Sequence, residues 1–104
     1  MTFIVSSSEE AFQNLEGLLD FLVDRAQSED DLDFAQSAID AIRSAALGHL
    51  SSTPFSFRKA GKSPTRRELI IPFGATGYVA LYEIASPSAV VVLAVRHQRE
   101  DDYH

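Results

Sequence analysis

Residues 89–103 read AVVVLAVRHQREDDY, and this stretch decides the fold. Its first seven residues, 89–95, are all apolar, and they give way abruptly to Arg96, His97, Gln98, Arg99 and Glu100. A valine-rich run of that length suits a strand buried on both faces better than a helix. Such a strand needs cover on both sides, so the rest of the chain is expected to wrap around it. Its exit delivers polar and charged groups to one rim of the sheet, where interiors end and recognition sites begin.

Working outward, Ser86-Pro87-Ser88 is a turn that feeds this spine. Before it, residues 78–85 alternate, with Tyr78, Ala80, Tyr82 and Ile84 on one face and Val79, Leu81, Glu83 and Ala85 on the other. Residues 74–77 (GATG) form a further turn, and residues 67–73 (RELIIPF) an earlier strand. Pro72 closes that strand, since proline cannot donate to a ladder. Turns this short make the three strands an antiparallel meander.

The first half reads as helical. Residues 2–6 are a short β-branched and aromatic run, read as a strand, and Ser7 with Glu10 offers a capping box for the helix that follows. Phe12, Leu15, Leu19, Leu22 and Ala26 recur at three- and four-residue steps, broadened by Leu18 and Val23, as one face of an amphipathic helix. Gly17 interrupts it, and close approach of a neighbouring backbone is the expected reason. After a polar break at 27–31, Leu32, Ala35, Ile39, Ile42, Ala46 and Leu50 repeat the spacing. Two helices joined by a few residues make an antiparallel hairpin. Residues 48–64 are the least regular part, with Phe55 and Phe57 as its expected anchors to the core. The order β-α-α-β-β-β predicts an α+β domain, with the hairpin packed on a mainly antiparallel sheet.

The 104 residues make one domain, and 45% hydrophobic with 23% charged residues are ordinary globular values. Cysteine is absent, which excludes disulfides and thiolate metal sites. The start MTFIV lacks the basic and long apolar regions of a secretion signal, and no apolar run reaches membrane-spanning length. A cytoplasmic location and no membrane partner are therefore expected. The net charge of −6 is unevenly spread: residues 1–40 hold ten acids and one base, whereas the remainder is net basic. Arg58, Lys59, Lys62, Arg66 and Arg67 form a basic run without an intervening acid. Such a run is either a solvated loop or a surface for an acidic partner.

No GxSxG, phosphate-binding loop or dinucleotide fingerprint is present, and His49, His97 and His104 stand in no triad pattern. No cofactor is expected. His97, Glu100, Asp101, Asp102 and His104 could be imagined around a metal, but their spacing matches no ligand motif, so none is expected there. Cleavage of RNA without metal would need a base, an acid and cations on the phosphate. Arg66, Arg67, Arg96, His97, Arg99 and Tyr103 contain those groups, and spacing alone does not say whether they converge.

The Arg67-Glu68 strand opening, the YVALYEI strand at 78–84 and above all residues 90–103, ending in VRHQREDDY, resemble the ParE/RelE superfamily. These are toxins of bacterial type II toxin–antitoxin modules, once called plasmid stabilisation proteins. The resemblance spans essentially the whole chain. It implies a cognate antitoxin, ParD-like or another type II antitoxin, whose C-terminal segment wraps the toxin as helix and strand. DNA would then be met only through that antitoxin. In the RelE branch, ribosome-dependent messenger-RNA nucleases carry an arginine just after the aromatic of the middle strand, where this chain has Val79. Such nucleases are also strongly basic, and this chain is acidic. Both departures favour the ParE side, whose members resemble the nucleases in fold but inhibit DNA gyrase by binding it. The expected partner-binding residues are Arg58, Lys59, Lys62, Arg66, Arg67, Arg96, His97 and Arg99, with no catalytic group. A RelE-like mRNA endonuclease would instead use Arg67, His97, Arg99 and Tyr103. A non-toxic interaction domain of the same fold is the third reading.

Overall fold

The valine-rich spine, β5 (Ala89–His97), lies between two strands from opposite ends of the chain. On one side β4 (Thr76–Ser86) runs antiparallel to it, and on the other β1 (Ile4–Ser7) runs parallel. The computed structural model describes residues 2–99. Beyond β4 come β3 (Arg66–Phe73) and the two-residue β2 (Arg58–Lys59), giving a five-stranded sheet ordered β1-β5-β4-β3-β2. The two helices, α1 (Glu9–Asp24) and α2 (Glu29–Leu50), form the expected hairpin. Helix α1 lies against β5, and α2 against β3 and β1. The α+β architecture and the meander therefore stand as read; β2 is an addition that the irregular 48–64 segment did not reveal.

The hairpin covers one face of the sheet; among the described residues no second layer of helix or sheet covers the other, where a spine wrapped on both sides was expected. Leu69, Ile71, Tyr78, Ala80, Tyr82, Ile84, Val90, Val92 and Val95 point into the helices and form the core with Leu15, Ile39, Ile42 and Leu50. On the other face Val79 and Ala94 are nonetheless buried. Arg96 stands directly across from Val79, and Glu68 across from Leu81. Both charged side chains are mostly buried, at 12% and 17% exposure.

The inward set steps from Val92 to Val95 because β5 bulges: Tyr82 pairs with Val92 but Leu81 with Ala94, leaving Leu93 over. Helix α1 satisfies the backbone groups displaced there. Ser8 Oγ donates to the Leu93 carbonyl at 2.9 Å, and the Val95 amide donates to Asn14 Oδ1 at 3.0 Å. Ser8 is also the N-cap of α1, accepting from the Ala11 amide at 3.1 Å. The cap expected at Ser7 thus falls one residue later, because Ser7 is still strand, paired with Val92.

The loop after α2 is pinned by Tyr82, whose hydroxyl donates to the Pro54 carbonyl at 2.6 Å. Phe57 is half-buried with its ring 5.6 Å from that of His49, while Phe55 stays 60% exposed and touches Phe3 edge-on. Of the two expected anchors, Phe57 packs against the core and Phe55 does so only by its edge. Gly17 also departs from expectation, since a Cβ there would meet nothing within 4 Å. Gly77 is the glycine at which another part of the backbone comes too close for a side chain. A Cβ at Gly77 would fall 2.5 Å from the Ile71 carbonyl oxygen and 3.2 Å from Pro72 Cα. Gly77→Ala is expected to cost about 1–3 kcal/mol by forcing β3 and β4 apart. Urea unfolding checks this, and a midpoint unchanged from the parent would refute it.

Candidate functional site

Where the helical hairpin meets the far end of the meander, the hairpin and sheet leave a groove of about 720 Å³. Helix α1 contributes Leu18 and Phe21 with Gly17 between the turns, α2 contributes Phe34, and the sheet contributes Phe73, Tyr78 and Val95. Phe34 and Phe73 lie 5.1 Å apart between ring centroids, and Phe73 and Tyr78 6.5 Å apart, so aromatic surface runs from helix to strand. Phe21 and Phe34 are each about half exposed, at 53% and 50%, which is unusual for side chains of that size. The Arg25 guanidinium sits 4.3 Å over the Phe21 ring. Burial pushes the Tyr78 phenol above its ordinary pKa of 10.0.

Among the described residues, the charged or titratable groups lining the groove are Tyr78 and, at the exit of β5, His97 and Arg99, and no described carboxylate lines it. His97 is fixed by three contacts. Its Nδ1 accepts from the Arg99 amide at 3.1 Å, its Nε2 lies 3.1 Å from Thr76 Oγ1, and its ring meets Tyr78 edge-on at 5.6 Å. Since Nδ1 accepts, the proton belongs on Nε2, which donates to Thr76. The imidazole therefore ties the last residues of β5 to the β3–β4 turn, and it sets where the Arg99 backbone leaves the sheet.

The remaining cations divide between the two faces of the sheet. Arg66 and Arg67 are consecutive on a strand, so they point opposite ways. Arg66 Nε contacts Glu83 at 3.4 Å on the helix-free face, and Arg58 Nε contacts Glu68 there at 3.1 Å. Arg96 completes that group, 3.8 Å from Glu68 and donating to the His97 carbonyl at 3.2 Å. Arg67 turns to the helix side, donates to the Phe57 carbonyl at 2.7 Å and lies 5.8 Å from the Phe55 ring. Lys59 stands opposite Arg67 on β2, and both Lys59 and Lys62 are exposed. The eight cationic or imidazole residues expected to share one recognition surface thus occupy three places: the helix-free face, the loop end and the groove mouth.

The described residues of the nuclease alternative, Arg67, His97 and Arg99, do not gather around one hollow. Arg67 pairs with Tyr82 and His97 with Tyr78, four residues further along β4. At about 3.3 Å per residue that is about 13 Å along the strands, with β4 lying between them. Tyr103 lies outside the described residues, as do Glu100, Asp101, Asp102 and His104 of the conceivable metal set. Among the described residues no three potential ligands cluster. Val79, where the nuclease pattern would place an arginine, is 1% exposed. No helix among the described residues is long and apolar enough to cross a membrane.

Sequence reading missed the groove aromatics. Phe21 and Phe34 lie off the apolar stripes of α1 and α2, and a large aromatic displaced from such a stripe was the available signal. Glu68 and Glu83 were visible as acids on strands, but their arginine partners lie 10 and 17 residues away in sequence.

Comparisons with known proteins agree with this architecture. Residues 5–102 match the model of the ParE toxin of the type II toxin–antitoxin system parDE. The toxin RelE1 of Caulobacter vibrioides is 34% identical over 100 residues, covering 96% of this chain and 98% of that protein. Among solved structures, the chromosomal ParDE toxin–antitoxin system from P. aeruginosa superposes with a TM-score of 0.72 over 92% of this chain and 96% of that one, at 12% identity. The toxin–antitoxin complex RelBE2 from Mycobacterium tuberculosis gives 0.65 over 96% and 95%, at 21% identity. A strand, a helical hairpin and an antiparallel meander closing on a valine-rich spine are thus accounted for by one family: the chain belongs to the ParE toxins of type II toxin–antitoxin systems, within the ParE/RelE superfamily.

Proposed function

We propose that this toxin acts by binding rather than by cutting, with DNA gyrase as its target, and that a cognate antitoxin silences it by occupying the aromatic groove. The observation that carries the reading is the separation of Arg67 from His97 and Arg99. A phosphoryl-transfer site needs cations and proton-transfer groups within hydrogen-bond reach of one phosphate. Here the Arg67 guanidinium is instead spent on the Phe57 carbonyl, and His97 on Thr76 and the Arg99 amide. The acidic balance of the chain, −6 overall, further disfavours a grip on ribosomal RNA.

The groove supports the antitoxin half of the proposal. Half-exposed aromatics facing a cleft, with Arg99 and His97 as the charged or imidazole groups at its mouth among the described residues, suit an amphipathic segment whose apolar side chains fill the cleft. An acid on that segment would meet Arg99. Expression of the chain in cells tests the target. Filamentation with DNA-damage signalling, together with inhibition of supercoiling by purified gyrase, is the expected result. Rapid translation arrest with cut messages would overturn it in favour of the nuclease, and absence of any toxicity in favour of the interaction domain.

A further inference from the structure

The helix-free face of the sheet carries a group of paired charges, on the side away from the groove. Arg58 and Arg66 each spend only Nε on a carboxylate, Glu68 and Glu83 respectively. Their side chains remain 54% and 51% exposed. An arginine held through Nε has its guanidinium plane oriented while its two terminal nitrogens face outward, in the geometry that takes a carboxylate through two parallel hydrogen bonds. Glu68 and Glu83 thereby act as positioning residues for two prepared forks.

The forks are close together and regularly placed. Arg58 stands directly across from Glu68, and Arg66 is two residues before Glu68 on β3. Diagonal neighbours of this kind lie about 7–8 Å apart. Carboxylates at alternate positions of an extended chain are spaced about 6.6 Å, a near match. Two residues beyond Glu68 on the same face, Ile70 is 40% exposed and adds an apolar contact. Among the described residues, Arg96 brings the cations of this face to three beside the carboxylates of Glu68 and Glu83.

We infer that this face docks an extended acidic protein segment, with carboxylates two residues apart on Arg58 and Arg66 and an apolar residue against Ile70. A nucleic acid fits less well, because its continuous phosphate charge would run over Glu68 and Glu83, whereas a peptide can place acids at the forks alone. The inference goes beyond the reading of target and antitoxin above and stands without it, since no identity is assumed for the partner.

The test is a nuclear magnetic resonance titration of the full-length chain with a blocked pentapeptide bearing glutamate at positions 1 and 3, valine at position 5 and serine between, so that all three meet the sheet from one face. Shifts are expected at the Arg58 and Arg66 Nε–H groups and at Ile70. Arg58→Ala/Arg66→Ala should weaken binding at least tenfold, and Arg58→Lys/Arg66→Lys, which keeps the charge but removes the forks, by a smaller factor. Arg43→Ala, an exposed cation on α2, should change nothing. Equal affinity for the double alanine variant, equal affinity for the glutamine version of the peptide, or tighter binding of hexauridylate to the same residues would each overturn the inference. The lysine pair keeps the test decisive should the alanine pair disturb the fold.

Discussion

Replacing Tyr82 by alanine is expected to destabilise the chain by about 3–5 kcal/mol, the range for a large buried aromatic. Tyr82 is wholly buried, in the middle of β4, and its hydroxyl is the hydrogen bond that holds Pro54. The alanine variant loses ring packing against the hairpin and the anchor of the 54–57 loop together. Tyr82→Phe separates the two. It keeps the ring but leaves the Pro54 carbonyl without its donor, an expected cost of about 1–3 kcal/mol. Urea denaturation of both variants checks this, and a phenylalanine variant as unstable as the alanine one would show that the hydroxyl, not the ring, dominates. The same residue gives a pH signature. Burial raises its pKa from 10.0 to about 12, against a smaller lowering by the Arg67 charge. The folded state therefore keeps this proton more tightly than the unfolded chain does. Its contribution is complete below pH 10 and is lost as pH rises from 10 through about 12. Tyr82→Phe should flatten that part of the stability–pH curve.

Replacing Phe21 by aspartate is expected to weaken antitoxin binding by about a hundredfold or more. Truncated aromatic anchors at protein interfaces commonly cost 2 kcal/mol or above, and each 1.4 kcal/mol is tenfold in affinity. An aspartate adds a desolvation penalty beside Leu18, Phe34 and Phe73, the apolar part of the lining. Since Phe21 is half exposed, the core should not register its loss, and the melting temperature should stay within a few degrees of the parent's. Isothermal titration calorimetry with the purified antitoxin reads the effect. Unchanged affinity in a folded variant would move the antitoxin to another surface. Arg25 stacks on this ring and will lose its seat, so the neighbouring Arg25→Ala variant is the control for that cation alone.

Much of the fold was legible because its signals are local. Valine enrichment at 89–95, alternation at 78–85, two short turns and two amphipathic stripes each depend on a window of a few residues. Those windows dictated the element order, the hairpin and the meander. The parallel seating of β1 beside β5 was not legible, because Ile4 and Ala89 are 85 residues apart and pair through backbone groups that all residues share. Nor was the bulge at Leu93, which exists because Ser8 and Asn14, from the other end of the chain, satisfy its backbone groups.

The site divides in the same way. That basic groups gather between residues 58 and 67, and that the chain exits its spine through an arginine–histidine cluster, was plain from the residues. The alternation rule could also have parted Arg66 from Arg67, had the strand been started at Arg66. By itself, then, the sequence determined an α+β chain built on a valine-rich strand, acidic in its first part and basic in its second. Only the tertiary structure decided that the cations form no single cluster, that Arg67 is tied to the Phe57 carbonyl, and that Phe21, Phe34, Phe73 and Tyr78 meet to make a groove. The physical reason is range. Periodicity reports which face of an element a residue takes, whereas a binding site depends on which faces of distant elements are brought together, and that is settled by packing across the whole chain.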